Sequence, residues 1–103
     1  MKIFQEKFED TDAKVHNGFY EQFVALRPAV EAFISKSVAE TSVEDILITG
    51  HSLGGAVASL LAASLAPNFE NHAIRVVTFG SPKPGNLRFQ KLFQYRLGIN
   101  PPI

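Results

Sequence analysis

The chain has 103 residues, a length that suits one domain at most. Its hydrophobic content of 46% is enough for a packed core and argues against disorder. Ten basic and ten acidic side chains cancel to a formal net charge of zero, which disfavours nucleic acid or an anionic membrane as the main partner. Cysteine is absent, so a disulfide framework and a thiolate metal site are both excluded.

The first residues show no targeting signal. Met1–Phe4 leads directly into charged residues, so no signal peptide is visible. No apolar run is long enough to span a membrane, because serine, glycine and charged residues interrupt each candidate. We therefore expect an intracellular protein, unless the true N-terminus is missing.

The first strong structural signal is a helix that begins near Asn17 and Gly18, after about fifteen polar and weakly patterned residues. Apolar residues then recur at spacings of three and four, as on one face of a helix. They are Phe19, Phe23, Leu26, Val30, Phe33 and Ile34. Pro28 lies inside this pattern and lacks an amide proton, so it predicts a kink or a split into two helices.

Two short runs rich in β-branched residues predict strands, Asp45–Thr49 and Ala73–Phe79. The first run is apolar enough to suit a buried parallel strand. Between the strands, a stretch rich in alanine and leucine predicts a helix from Leu53 to about Ala66, which Pro67 ends.

A third helix is predicted for residues 87–97, after a turn-rich loop at 81–86. Its side chains expected to face inward are Leu87, Phe89, Leu92, Phe93 and Leu97. The order helix, strand, helix, strand, helix predicts an α/β fold with a parallel sheet and right-handed crossovers. Ordinary sheets have about four to six strands. Residues 1–8 are a candidate for one more short strand, but residues 1–103 still resemble an incomplete α/β domain.

Between the first strand and the second helix lies the pattern G-x-S-x-G, at Gly50, Ser52 and Gly54. In this context the pattern is typical of a nucleophile elbow, where the serine has a strained backbone and an exposed hydroxyl. Side chains at positions 50 and 54 would collide in so tight a turn, so glycine is expected at both. A helix that starts at Leu53 points its free N–H groups at the place where an oxyanion would form. Ser52 is therefore the predicted nucleophile for acyl transfer to water.

An interpretation without chemistry competes with the elbow. A glycine-rich turn can also place a serine whose side chain merely caps the following helix. A capping Ser52 would accept a hydrogen bond from an N–H group of the first helical turn. The strand–turn–helix context favours the nucleophile.

Three sequence blocks stand out along the chain. The first is Val15-His16-Asn17-Gly18-Phe19-Tyr20, the second is the elbow with its flanks at residues 48–56, and the third is residues 78–86. In this order they resemble the V-H-x-G-F signature, the elbow and the strand-end motif of the class 3 lipase family, the fungal-lipase-like branch of the α/β hydrolases. The third block has Lys83 and Pro84 where the family more often has arginine and valine.

The resemblance implies a partial α/β-hydrolase fold, a fatty-acid ester as substrate, a triad of serine, aspartate and histidine, and no metal or organic cofactor. It carries over Ser52 as nucleophile and the backbone N–H of Leu53 as one oxyanion donor. In the family both partners of the serine lie downstream of the third block, yet no aspartate follows Ser52 here. The sole downstream acid and histidine are Glu70 and His72. We therefore expect a central fragment of a lipase-like hydrolase, whose aspartate falls a little beyond residue 103.

Each histidine has a structural interpretation. His16 is expected at the start of the first helix, near the site. His51 is expected to be packed or hydrogen-bonded, because adjacent side chains at an elbow point apart. His72 precedes the second strand and so should lie at the end of the sheet opposite the elbow.

The missing triad partners leave two other classes of function open. One is a catalytically inactive α/β module that binds lipid or a protein partner. The other is a different chemistry on the same elbow, such as acyl transfer or peptide hydrolysis. In every case, unpaired sheet edges and an uncovered face predict marginal stability and offer a route to self-association.

Overall fold

A computed structural model describes residues 4–99 of the chain. Within that range the strands are β1 (Gln5–Lys7), β2 (Lys14–His16), β3 (Asp45–His51) and β4 (Ala73–Phe79), and the helices are α1 (Asn17–Glu40), α2 (Leu53–Leu65) and α3 (Leu87–Arg96). The strands β3 and β4 pair in parallel, whereas β1 and β2 form an antiparallel hairpin. The order of α1, β3, α2, β4 and α3 confirms the predicted α/β fold.

The hairpin corrects the expectation for the first residues. A short strand does occur there, but β1 pairs with β2 and does not extend the parallel sheet. Residues 1–3 of the predicted strand lie outside the described residues. The hairpin buries Phe8, Ala13 and Val15 against the core. It therefore acts as a cover for the helices and not as a further strand of the sheet.

Helix α1 is continuous from Asn17 to Glu40, so the predicted split at Pro28 is wrong. The N–H that proline lacks would have met the carbonyl of Val24, one turn earlier. Both residues are exposed, so water can reach that carbonyl in place of the missing donor. The predicted apolar face is only partly correct, because Phe23 and Ile34 are buried while Phe33 is 72% exposed.

The parallel sheet is covered on one face only. In β3 the partly buried Ile46 packs against the core, while its neighbour Leu47 is 62% exposed. In β4 the same alternation leaves Val77 and Phe79 exposed. The uncovered sheet face that the sequence predicted is therefore present within residues 4–99, where no helix packs on the second face.

Helix α2 is the centre of the core and is buried on nearly all sides. The sheet packs on one side of it and α1 on another. Its all-round apolar sequence, rich in alanine and leucine, suits that place. The α-helix ends at Leu65, and a 3-10 turn, Ala66–Phe69, follows it with Pro67 near the start. The predicted stop at Pro67 is therefore confirmed to within about one turn.

Helix α3 begins at an Asn86 cap, whose side chain accepts a hydrogen bond from the Phe89 N–H at 3.0 Å. Phe89 is buried and meets the Phe8 ring edge to face, with centroids 5.1 Å apart. Leu92 and Phe93 are partly buried against the same core. The expectation that Leu87 faces inward is wrong, since it is 58% exposed.

A polar network joins the helices at the carboxyl end of α2. The buried Ser64 hydroxyl accepts from Arg27 Nε at 2.7 Å and donates to Glu9 Oε2 at 2.9 Å. Arg96 donates to the Ala63 carbonyl at 3.0 Å and lies 3.6 Å from Glu9 Oε1. The network ties the hairpin turn to all three helices, and it satisfies the one polar side chain buried among the described residues.

Candidate active site

Ser52 occupies a one-residue turn between β3 and α2. Its backbone has φ 54° and ψ −122°, a conformation that is rare for a residue with a side chain. The side chain is exposed at the carboxyl end of a parallel strand, which is where ligands bind in open α/β sheets. The strained, exposed serine that the sequence predicted is therefore present in the structure.

The Ser52 side chain does not cap helix α2, so the capping interpretation is wrong. The backbone carbonyl of Ser52 instead accepts the N–H groups of Gly55 and Ala56, at 2.9 and 3.3 Å. Within residues 4–99, the N–H groups of Leu53 and Gly54 donate to no other backbone group. These two donors at the start of α2 are therefore available to an oxyanion beside Ser52.

Gly50 is required by the close approach of the two ends of the turn. A Cβ at this position would lie 2.2 Å from the Gly54 carbonyl oxygen and 2.7 Å from the Gly55 nitrogen. Both contacts are with backbone atoms, which a side-chain rotation cannot relieve. The expectation of glycine at position 50 is confirmed.

The steric reason given for Gly54 is wrong, because a Cβ there would meet no described atom within 4 Å. Gly55, and not Gly54, is the glycine of α2 at which a side chain would clash with its surroundings. Its Cβ would lie 2.8 Å from the Cβ of Ser81 and 3.2 Å from the Gly50 carbonyl oxygen. The sequence signal for this position was the pair Gly54-Gly55, because the pattern G-x-S-x-G includes Gly54 but not Gly55.

The last residue pair between β3 and β4 lies directly before the Ser52 turn and fixes its position. His51 pairs with Phe79, and the Ser52 N–H then donates to the Phe79 carbonyl at 2.8 Å. Two residues before the end of β3, Thr49 Oγ1 donates to the Val77 carbonyl at 2.8 Å. The elbow is therefore hydrogen-bonded to β4 and is not a free loop.

None of the three histidines hydrogen-bonds to Ser52 within residues 4–99. The Nδ1 of His16 accepts from the Gly18 N–H at 3.0 Å, and its ring stacks on Phe19, which confirms its place at the start of α1. His51 is exposed and its side chain makes no hydrogen bond within residues 4–99, so the expectation of a packed or hydrogen-bonded side chain is wrong for the described part of the chain. His72 precedes β4 and lies about 20 Å from the elbow, a strand length away, as predicted.

A cleft of about 920 Å³ in the described structure does not include Ser52. It lies between α3 and the first half of β4, where Ala73, Arg75 and Tyr95 are among its lining residues. That is the amino end of the strands, opposite the end where α/β enzymes bind their ligands. Within residues 4–99, no three histidine, aspartate or glutamate side chains gather closely enough to hold a metal ion.

The parallel strands, the serine turn and the buried helix together define a partial fold of the α/β-hydrolase type. The sequence model of the family described as lipase (class 3) matches residues 1–99. The chain therefore belongs to the class 3 lipase family.

Relatives with known names agree with that family. The chain is 32% identical over 99 residues to toxin TseL of Vibrio cholerae, covering 92% of this chain and 14% of the toxin. It is 33% identical over 84 residues to secreted mono- and diacylglycerol lipase 1 of Fusarium solani, covering 82% of this chain and 25% of the lipase. The chain thus spans a quarter or less of these two relatives.

A solved structure shows the same fold. The lipase of Rhizopus microsporus var. chinensis matches with a TM-score of 0.85 and 24% sequence identity. The match covers 94% of this chain and 35% of that lipase. No helix within residues 4–99 is long and apolar enough to cross a membrane.

Proposed function

We propose that this chain carries the nucleophile of a serine ester hydrolase that acts on fatty-acid esters. The observation that carries the proposal is the backbone of Ser52, which has a positive φ and an exposed side chain that caps nothing. Such strain costs about 1–3 kcal/mol and persists where the surroundings hold it. A purely structural turn would gain nothing from it. The membership of the class 3 lipase family and the lipase relatives support an ester as substrate.

In the proposed reaction, Ser52 Oγ attacks the carbonyl carbon of the ester and the carbonyl oxygen takes up negative charge. The N–H of Leu53 donates to that oxyanion, and the neighbouring N–H of Gly54 also has no backbone acceptor within residues 4–99. When the carbonyl re-forms, the ester C–O bond breaks, the leaving alkoxide takes up the proton that Ser52 lost and departs as the alcohol, and the acyl group stays on Ser52. Water then releases the acid and restores the serine.

No residue after Ser52 within the described residues 4–99 is placed to act as the base. The sole histidine that follows it, His72, precedes β4 and lies at the end of the sheet opposite the elbow. A serine hydroxyl is a weak nucleophile until a base takes its proton. Enzymes that lose triad members keep about 10³–10⁴-fold catalysis over water, from the oxyanion hole and binding. The 103-residue chain should therefore react slowly, and the full rate should require an acid and a base from residues outside this sequence.

The proposal is tested with a fluorophosphonate probe, which forms a covalent bond with activated serines. We expect slow labelling of one site in the 103-residue chain and none in Ser52→Ala. Ser42→Ala is the matched control, since Ser42 is an exposed serine in the loop before β3 and should not change the labelling. Labelling that survives Ser52→Ala, or that is absent from the wild-type chain at millimolar probe, would contradict the proposal. Turnover of amides or thioesters without turnover of carboxylic esters would assign another chemistry to the same serine.

The uncovered face of β3 and β4 favours one alternative function, a module that binds lipid or a protein partner without catalysis. That face exposes Leu47 on β3, and Val77 and Phe79 on the paired strand β4. Under this alternative, Ser52→Ala leaves the binding of a fatty-acid ester unchanged, whereas Leu47→Lys abolishes it. Under the hydrolase proposal the wild-type chain is labelled and Ser52→Ala is not, whereas a module without catalysis is labelled in neither form.

A further inference from the structure

The loop between β4 and α3, residues 80–86, packs against the elbow near the start of the loop. Ser81 of this loop lies against Gly55, so close that a Cβ on Gly55 would be 2.8 Å from the Ser81 Cβ and 3.2 Å from its hydroxyl oxygen. The Ser81 hydroxyl itself donates to the Pro82 carbonyl at 2.9 Å. Ser81 therefore acts on the first turn of α2 through packing and not through a hydrogen bond.

The same loop is attached to the hairpin at its other end. The His16 N–H donates to the Pro84 carbonyl at 3.0 Å, and the Asn86 N–H donates to the Lys14 carbonyl at 2.9 Å. The Lys14 N–H donates in return to Asn86 Oδ1 at 3.1 Å. At Gly85 a Cβ would lie 2.5 Å from the Lys14 carbonyl oxygen, so the loop meets β2 backbone to backbone.

The elbow depends on what surrounds it. A positive φ at Ser52 is held only if neighbouring atoms exclude the relaxed conformations. The Phe79 carbonyl accepts a hydrogen bond from the Ser52 N–H, and Ser81, two residues after Phe79, packs against Gly55. Both contacts come from one segment, whose far end is bonded to β2.

We propose that residues 80–86, anchored on β2, set the geometry of the elbow, and that Ser81 is a positioning residue for Ser52. The chain of contacts runs from Lys14 through Gly85 and Ser81 to Gly55. It joins the three sequence blocks into one unit, because β2 belongs to the first block, the elbow to the second and the loop to the third. The effect on reactivity rests on the proposed function of Ser52, whereas the effect on the turn does not.

The contact between Gly55 and Ser81 is tested by a pair of compensating substitutions. In Gly55→Ala the new Cβ should clash with the Cβ of Ser81 and open the turn. Ser81→Gly removes that Ser81 Cβ and should therefore relieve the clash. We expect Gly55→Ala to speed hydrogen exchange of the Ser52 N–H about tenfold relative to the other amides of β3 and β4, as is typical of directly coupled residues. The double variant should recover most of the protection, though not all, because the Gly50 carbonyl stays 3.2 Å from the new Cβ. Gly54→Ala is the matched control for exchange, since its Cβ meets nothing within 4 Å.

The anchor on β2 is tested at its far end. Gly85→Ala should push the loop off the Lys14 carbonyl and speed exchange of the Ser52 N–H selectively, although residue 85 does not touch the elbow. Lys83→Ala, an exposed position of the same loop, should leave exchange unchanged. The rate of fluorophosphonate labelling of Ser52 should fall in Gly55→Ala and Gly85→Ala and return in the double variant of Gly55 and Ser81.

Two results would overturn the inference. One is a loss of protection in Gly55→Ala that Ser81→Gly does not reverse. The other is a loss spread evenly over β3 and β4, which would mark a general fall in stability. Absence of labelling in the wild-type chain would count against the proposed function alone, because the exchange measurements still decide the role of the loop.

Discussion

Replacement of Gly50 by alanine should be the most damaging single methyl addition in the chain. The new Cβ would lie 2.2 Å from the Gly54 carbonyl oxygen and 2.4 Å from the carbonyl carbon. Carbon and oxygen atoms normally approach to about 3.3 Å. The turn must therefore open by about 1 Å, and the moving atoms belong to the backbone of α2. Overpacking costs about 1–3 kcal/mol, and we expect about 3 kcal/mol here because no side chain can yield.

Gly54→Ala isolates this steric term, since the two variants make the same chemical change four residues apart. Both substitutions restrict the unfolded chain equally, so that contribution of about 0.4–1 kcal/mol cancels in their difference. At position 54 the Cβ meets no atom within 4 Å, and alanine is favoured over glycine in a helix by about 0.5–1 kcal/mol. Gly54→Ala should thus be neutral or slightly stabilising.

The assay is urea unfolding followed by far-ultraviolet circular dichroism. With a slope of about 1–3 kcal/mol per molar urea, a loss of about 3 kcal/mol lowers the midpoint by about 1–3 M. In a thermal scan the same loss corresponds to a fall in Tm of about 12–24 °C. If the midpoints of Gly50→Ala and Gly54→Ala agree within error, the tight turn does not exist as described.

Three other substitutions test the core, the link to the hairpin and the uncovered sheet face. Leu60→Ala should cost about 2–5 kcal/mol in urea unfolding, because Leu60 is fully buried in α2; a cost below about 1 kcal/mol would contradict its central place. Asn86→Ala should cost about 1–2 kcal/mol, since its side chain accepts from both Phe89 and Lys14, while Asn86→Asp keeps the acceptor and most of the stability. Leu47→Lys should change stability by about 0.5 kcal/mol or less, because the side chain is 62% exposed, yet it should abolish concentration-dependent association in sedimentation velocity. Association that is unchanged in this variant would exclude the exposed face as its cause.

Local patterns predicted the elements that carry the candidate site. The bounds of β4 agree with the prediction, and α2 begins at the predicted Leu53. These predictions succeeded because β-branched runs and alanine-rich runs favour one backbone state over short distances. The strained backbone of Ser52 also followed from the motif, since a strand that turns into a helix within one residue leaves few conformations; the structure shows that the strain takes the form of a positive φ.

The errors came from contacts between distant parts of the chain. Lys14–His16 was missed as a strand because three residues are too few to show alternation, and its partners are β1 and the loop at Gly85. Pro28 was expected to kink or split α1, and the split does not occur, because Pro28 lies on the exposed side, where water can replace a backbone partner. Phe33 fits the helical period, yet it is exposed and lies outside the core cluster.

The sequence by itself determined that a serine follows a parallel strand and precedes a buried helix, because those features depend on neighbouring residues. It also determined the family, through three blocks whose order and spacing are specific. Only the tertiary structure decided which atoms hold the serine in its strained turn. Gly55 and Ser81 are 26 positions apart in sequence, and the link from Ser81 to β2 spans a longer distance still. Such contacts arise when elements pack, so the roles of Gly55, Ser81 and Gly85 could be found only in the folded chain.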